Sequence, residues 1–190
     1  MGFGRRSFSY QGETHDVSVV DAQRERVYRA ERLVAFPDLG LQSGDREGTK
    51  RLFARVARSS CFRRLVERWT KPGHLSPPTL RFGHGSRRSS EAAGSLVVLA
   101  PCHVGVAWVV LHELAHAASP RQVSHHWPFC AAYLELVRRF MGAETARELR
   151  SKMRETKARW KPRRRRAMTD EQRAAFRSRM AALRAAKETT

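Results

Sequence analysis

Apolar positions recur at helical spacing through most of the chain. Val27, Ala30 and Val34 share one face of a helix predicted over residues 21–36, which Pro37 stops. Leu52, Phe53 and Val56, then Phe62, Leu65, Val66 and Trp69, predict more helix over 48–69. The phase slips at Ser59-Ser60, as it does where two helices meet. Two short stretches read differently. Residues 79–82 alternate as a strand does, and 95–100 form a more apolar run that predicts a second, more buried strand. A connector rich in Gly, Ser and Arg, 83–94, joins them. Residues 106–118 are nearly all apolar and predict a buried helix, broken by Ser119-Pro120. Pro128 opens another, since proline loses no hydrogen bond in a first turn, and Gly142 closes it. Helical spacing resumes over 143–160. Further on, Thr169 and Gln172 form a capping box for a last helix with Phe176, Met180 and Leu183 on one face. Many helices around two short strands give an α+β fold.

Charge divides the chain. Its 190 residues hold 37 Lys and Arg against 18 Asp and Glu, a net charge of +19. Residues 138–190 contain 18 of those cations and only 6 of the anions, so the excess is concentrated in the tail. The expected division is a folded domain over 17–150 and a basic linker with a C-terminal helix over 151–190. The run Arg159, Trp160, Lys161, Arg163, Arg164, Arg165, Arg166 combines phosphate-neutralising cations with a ring that can stack on a base. It is therefore a candidate for non-specific DNA or RNA binding; a solvated linker or a contact with an acidic protein would use the same residues. Three cysteines, Cys61, Cys102 and Cys130, stand at unrelated spacings, which excludes a disulfide framework and fits a reducing compartment. No apolar stretch follows the N-terminal Arg5-Arg6, and His112, Glu113 and His116 interrupt the most apolar run. The expectation is a cytoplasmic protein with no membrane partner.

The strongest chemical signal lies in that apolar run. In His112-Glu113-Leu114-Ala115-His116 the two imidazoles fall one helical turn apart on the same face, where both can bind one zinc ion. Buried without partners, these groups would cost several kcal/mol, and a shared metal removes that cost. Glu113 can reach a water on the metal and act as its general base. A third ligand is expected. Ser119 and Gln122 stand where a metzincin has Gly and His, so that class is excluded. The candidates are His125, His126 and Glu135, the last on the Pro128 helix. Cys102-His103 lacks ligand spacing and is set aside.

Several segments together resemble a small family of actinobacterial and phage proteins described as zinc metallohydrolases. They are DAQRERVYRAE from Asp21 to Glu31, VVLHELAH ending at His116, HHWPF from His125 to Phe129, and YLELV from Tyr133 followed by Met141-Gly142. More distantly the chain is similar to SprT-like (Spartan-type) zincins. The resemblance covers residues 21–148. It implies a zincin-like single domain with a short sheet packed on the HExxH helix, one Zn2+ per chain and hydrolase activity. In the SprT-like proteins the His of a His-Gly-Pro-x-Phe stretch is the third ligand. Aligning Phe129 with that Phe implies His125, although His126 and Trp127 replace the usual Gly and Pro.

The expected activity is that of a metallopeptidase acting on a protein or peptide. Tyr133 or the unused member of the His125/His126 pair is the expected oxyanion donor, and the 96–100 strand is the expected edge for an extended peptide. Two other functions use the same scaffold: a non-catalytic nucleic-acid-binding protein, and a regulatory zincin that cleaves one repressor or partner. Glu113 argues against the first, since a structural zinc site has no use for that carboxylate.

Overall fold

The computed structural model describes residues 6–10, 13–17, 23–69, 77–86, 88–93, 95–120, 124–161, 171, 174–175 and 177–180. Its elements run β1 (Arg6–Tyr10), β2 (Glu13–Val17), α1 (Arg24–Arg32), α2 (Arg46–Ala57), α3 (Ser60–Trp69), β3 (Thr79–Phe82), β4 (Glu91–Ala93), β5 (Leu96–Leu99), α4 (Ala107–Ala117), α5 (Trp127–Phe140) and α6 (Ala143–Glu155). The architecture is α+β. No described helix is long and apolar enough to cross a membrane.

Helix α4 occupies the centre. Apolar all round, it must be covered on every side, and α2, α5, β4 and β5 pack against it. Val110, Leu111, Leu114 and Ala115 are wholly buried. Trp108, on its outer side, stacks on Phe36 with ring centres 5.5 Å apart. Helix α5 lies between α4, α3 and α6, and α1 packs on α6.

The start of α4 is fixed by α2. Asp45 caps α2 by accepting from the Gly48 N–H at 2.8 Å. Thr49, buried in the first turn of α2, accepts from the Gly105 N–H at 2.9 Å, and Gly44 donates to the Val104 carbonyl. Gly105 has φ +85, and a Cβ there would meet the Gln42 carbonyl oxygen at 1.8 Å. Only glycine allows that approach, which sets where α4 begins.

The larger sheet is mixed, in the order β3-β5-β4. β3 and β5 are parallel, with Thr79 opposite Leu96 and Phe82 opposite Leu99. β4 is antiparallel to β5, with Glu91 opposite Val98. The 96–100 strand is therefore central, not the expected edge. The edge near α4 is β4, which falls inside the connector expected to carry no element. β1 and β2 form a separate antiparallel hairpin that periodicity also does not announce.

The break expected at Ser59-Ser60 separates α2 from α3, where the Ser59 hydroxyl accepts from the Phe62 N–H. Helix α6 stops at Glu155, short of the expected 160, and Lys157 takes φ +61. Packing continues past the expected boundary at 150. Met153 is wholly buried, Ala158 nearly so, and the Arg159 N–H donates to Gln23 Oε1 at 2.5 Å, ahead of α1. Thr169 and Gln172 of the capping box lie outside the described residues.

Candidate metal centre

Three histidines converge inside this body. His112 and His116 come from successive turns of α4, and His125 from the loop that enters α5. His125 Nε2 lies 3.2 Å from His112 Nε2 and 3.3 Å from His116 Nε2. His112 and His125 are 3% and 4% exposed, and His116 is half-buried. Among the described residues these three form the one cluster of His, Cys, Asp or Glu with the spacing to hold a metal ion.

Local structure explains the convergence. The i, i+4 spacing aligns the α4 pair. Pro128 starts α5 just after His125, and the Cys130 thiol donates to the His125 carbonyl at 3.3 Å, fixing the loop end. Phe129 then forms an apolar wall. Its ring stacks on His116 at 4.1 Å and meets His112 and His125 edge-on, each at 4.9 Å between centres.

The spacing fits a metal better than hydrogen bonding alone. His112 Nδ1 and Glu31 Oε1 share a 2.5 Å hydrogen bond, and with its proton on Nδ1 the ring turns an Nε2 lone pair to the other two histidines. With neutral rings, either one proton on His125 Nε2 serves two acceptors at once, or a proton on His116 Nε2 leaves the lone pairs of His125 and His112 facing each other at 3.2 Å. Two ligands of a tetrahedral ion with bonds of about 2.0–2.1 Å stand about 3.3–3.4 Å apart, close to the two distances seen. The residues present therefore fit a metal ion. An all-imidazole donor set suits zinc, copper, iron or nickel.

Behind the imidazoles lies a carboxylate to which sequence reasoning gave no role. Glu31 on α1 is 3% exposed and orients His112, as carboxylates do behind metal-bound histidines. Tyr133 of α5, wholly buried, lies within electrostatic reach of the same carboxylate. Burial pushes the Glu31 carboxyl up to about 8, against the pull of His125, Tyr133 and Arg32. Desolvation, then Glu31, raise the Tyr133 hydroxyl well above the ordinary tyrosine range. A buried carboxylate of this kind calls for positive charge nearby, and a bound cation would supply it. The signal in the sequence was its phase: Glu31 lies four residues after Val27 and three before Val34, on the apolar stripe of α1.

No protein family, curated protein or solved structure matches this chain. The reading of the site therefore rests on its own geometry.

The other candidate ligands lie elsewhere. Glu135 faces α3, where Cys61 donates to it at 3.9 Å and Arg68 pairs with it at 3.6 Å. His126 occupies the cap position of α5 and is outside the cluster. His103 shares a 2.8 Å hydrogen bond with Ser90, and Cys102 is exposed. Tyr133, one of the two expected oxyanion donors, is sealed in the core, so it cannot meet a substrate. Glu113 follows His112 on α4, 5% exposed, and its charge acts on the half-buried Tyr28. Of the basic run, Arg159 and Lys161 are exposed, while Trp160 is half-buried against the core under Arg154, 5.7 Å from its ring centre. Arg163, Arg164, Arg165 and Arg166 lie outside the described residues.

Proposed function

We propose that this protein is a zinc-dependent hydrolase, most specifically a metallopeptidase, in which His112, His116 and His125 hold the metal. The observation that supports this is the pair of Nε2 separations, 3.2 and 3.3 Å, at the edge length of a tetrahedral zinc site. Zinc bound there supplies a Lewis acid and a water acidic enough to be deprotonated near neutral pH. Glu113 would serve as the general base, taking a proton from the attacking water and passing it to the leaving amine as the bond breaks. Glu31 keeps His112 in the tautomer whose Nε2 faces the metal. Phe129 keeps bulk water from the inner side of the three rings. An extended peptide would lie along β4, the edge of the sheet that packs against α4.

The basic C-terminal segment supports a second element of the proposal, a non-specific contact with nucleic acid. Its described cations Arg159 and Lys161 are exposed, with the Arg159 N–H bonded to Gln23 ahead of α1, and can neutralise phosphates. With Trp160 packed on the core, phosphate contacts rather than base stacking would carry that binding.

The reading is tested by incubating the zinc-loaded full chain with an unselected peptide mixture and sequencing the new termini by mass spectrometry. New termini should appear, and should vanish when the metal is stripped with a chelator and return with zinc. An unchanged mixture from protein shown to carry one zinc per chain would remove the peptidase assignment.

A further inference from the structure

Attack on a carbonyl leaves negative charge on its oxygen, and a hydrogen-bond donor aimed at that oxygen is often a large catalytic contribution. The expected donors fail here. Tyr133 is wholly buried, and His126 is at the cap of α5, outside the histidine cluster. Helix α1 brings a different tyrosine to the site. Tyr28 is half-buried, and its ring centre lies 5.0 Å from that of His125 and 5.7 Å from that of His112. Its hydroxyl is within electrostatic reach of Glu113. Arg24, exposed one turn earlier, lies over that ring, 5.4 Å from its centre.

We propose that Tyr28 is a catalytic residue of this site, donating its hydroxyl to the oxygen that gains charge in the reaction, and that Arg24 is the positioning residue that aims it. The inference rests on the hydrolase reading above. Water oxygen bonds to the carbonyl carbon, and the π pair moves onto the carbonyl oxygen, which accepts from Tyr28. Glu113 carries the water proton to the amine nitrogen as the C–N bond breaks, and the oxygen pair returns to reform the carbonyl. Tyr28 keeps its proton throughout.

The test needs no substrate. Cobalt(II) replaces zinc in the full chain and gives a visible spectrum, and inorganic phosphate, a tetrahedral anion, stands in for the tetrahedral adduct. Phosphate titrations are compared for the native chain, Tyr28→Phe, Arg24→Gln and Arg29→Gln. Phenylalanine preserves the ring contacts, so cobalt uptake should be unchanged. Phosphate affinity should fall about tenfold in Tyr28→Phe, the size of one hydrogen bond to a charged group, and less in Arg24→Gln. Arg29→Gln removes the same charge from an exposed position of α1 and should change nothing. Equal affinities for the native chain and Tyr28→Phe would overturn the proposal, as would a cobalt-loaded native chain that binds no phosphate. A native chain that takes up no cobalt would instead overturn the metal reading.

Discussion

Glu113→Gln should retain one zinc per chain and lose turnover by about 10²–10⁴-fold, the usual contribution of a positioned general base. Glutamine keeps the size of the side chain and a carbonyl oxygen but cannot accept the proton of a water. Because the three imidazoles come from His112, His116 and His125, the substitution leaves the donor set untouched. Its neighbours on α4, Leu111, Leu114 and Ala115, are wholly buried and independent of its charge. Metal content and thermal midpoint should therefore match the native chain while cleavage of any peptide found above disappears. A variant that cleaves at the native rate would show that Glu113 is not the base. The same comparison separates a hydrolase from a nucleic-acid-binding protein on the same scaffold, which would bind DNA or RNA unchanged and show no turnover to lose.

Glu31→Ala should weaken zinc binding by about 10–100-fold, the range seen when the carboxylate behind a metal-bound histidine is removed. The loss has two sources. His112 is no longer held in the tautomer with a bare Nε2, and the negative charge that balances the ion from 2.5 Å behind its ligand is gone. Glu31→Gln separates these effects, because the amide oxygen can still accept one hydrogen bond but brings no charge. It should fall between the native chain and Glu31→Ala in zinc affinity. Competition titration against a chromophoric chelator measures both variants, and equal affinities across the three proteins would remove Glu31 from the site.

What the sequence conveyed and what it hid follow from how far each signal reaches. Helical periodicity is local and repeats over several turns, so α2, α3, α4 and α5 could be placed within a few residues, down to the break at Ser59. β4 has three residues, too few for a period to show, and the place of β5 in the middle of the sheet depends on partners that its own residues do not encode. The i, i+4 pair His112 and His116 was legible because both lie on one helix. His125 required knowing where a loop returns, and only the resemblance singled it out from His126 and Glu135. Glu31 and Tyr28 lie more than 80 residues before the motif they adjoin. For Glu31 its place on the stripe with Val27 and Val34 was the one clue. The boundary at 150 followed the charge, whereas Met153 and Ala158 are buried by contacts that charge does not report.

The central claim is that three imidazoles hold one metal ion, and X-ray absorption at the zinc edge tests it most directly. The protein should carry one zinc per chain, with a first shell of nitrogen and oxygen only at about 2.0–2.1 Å and the multiple-scattering pattern of three imidazoles. That signal should be lost in His125→Ala and kept in His126→Ala and Glu135→Ala. A chain without zinc would contradict the account. So would a shell with sulfur at about 2.3 Å, placing the ion on Cys61, Cys102 or Cys130 instead.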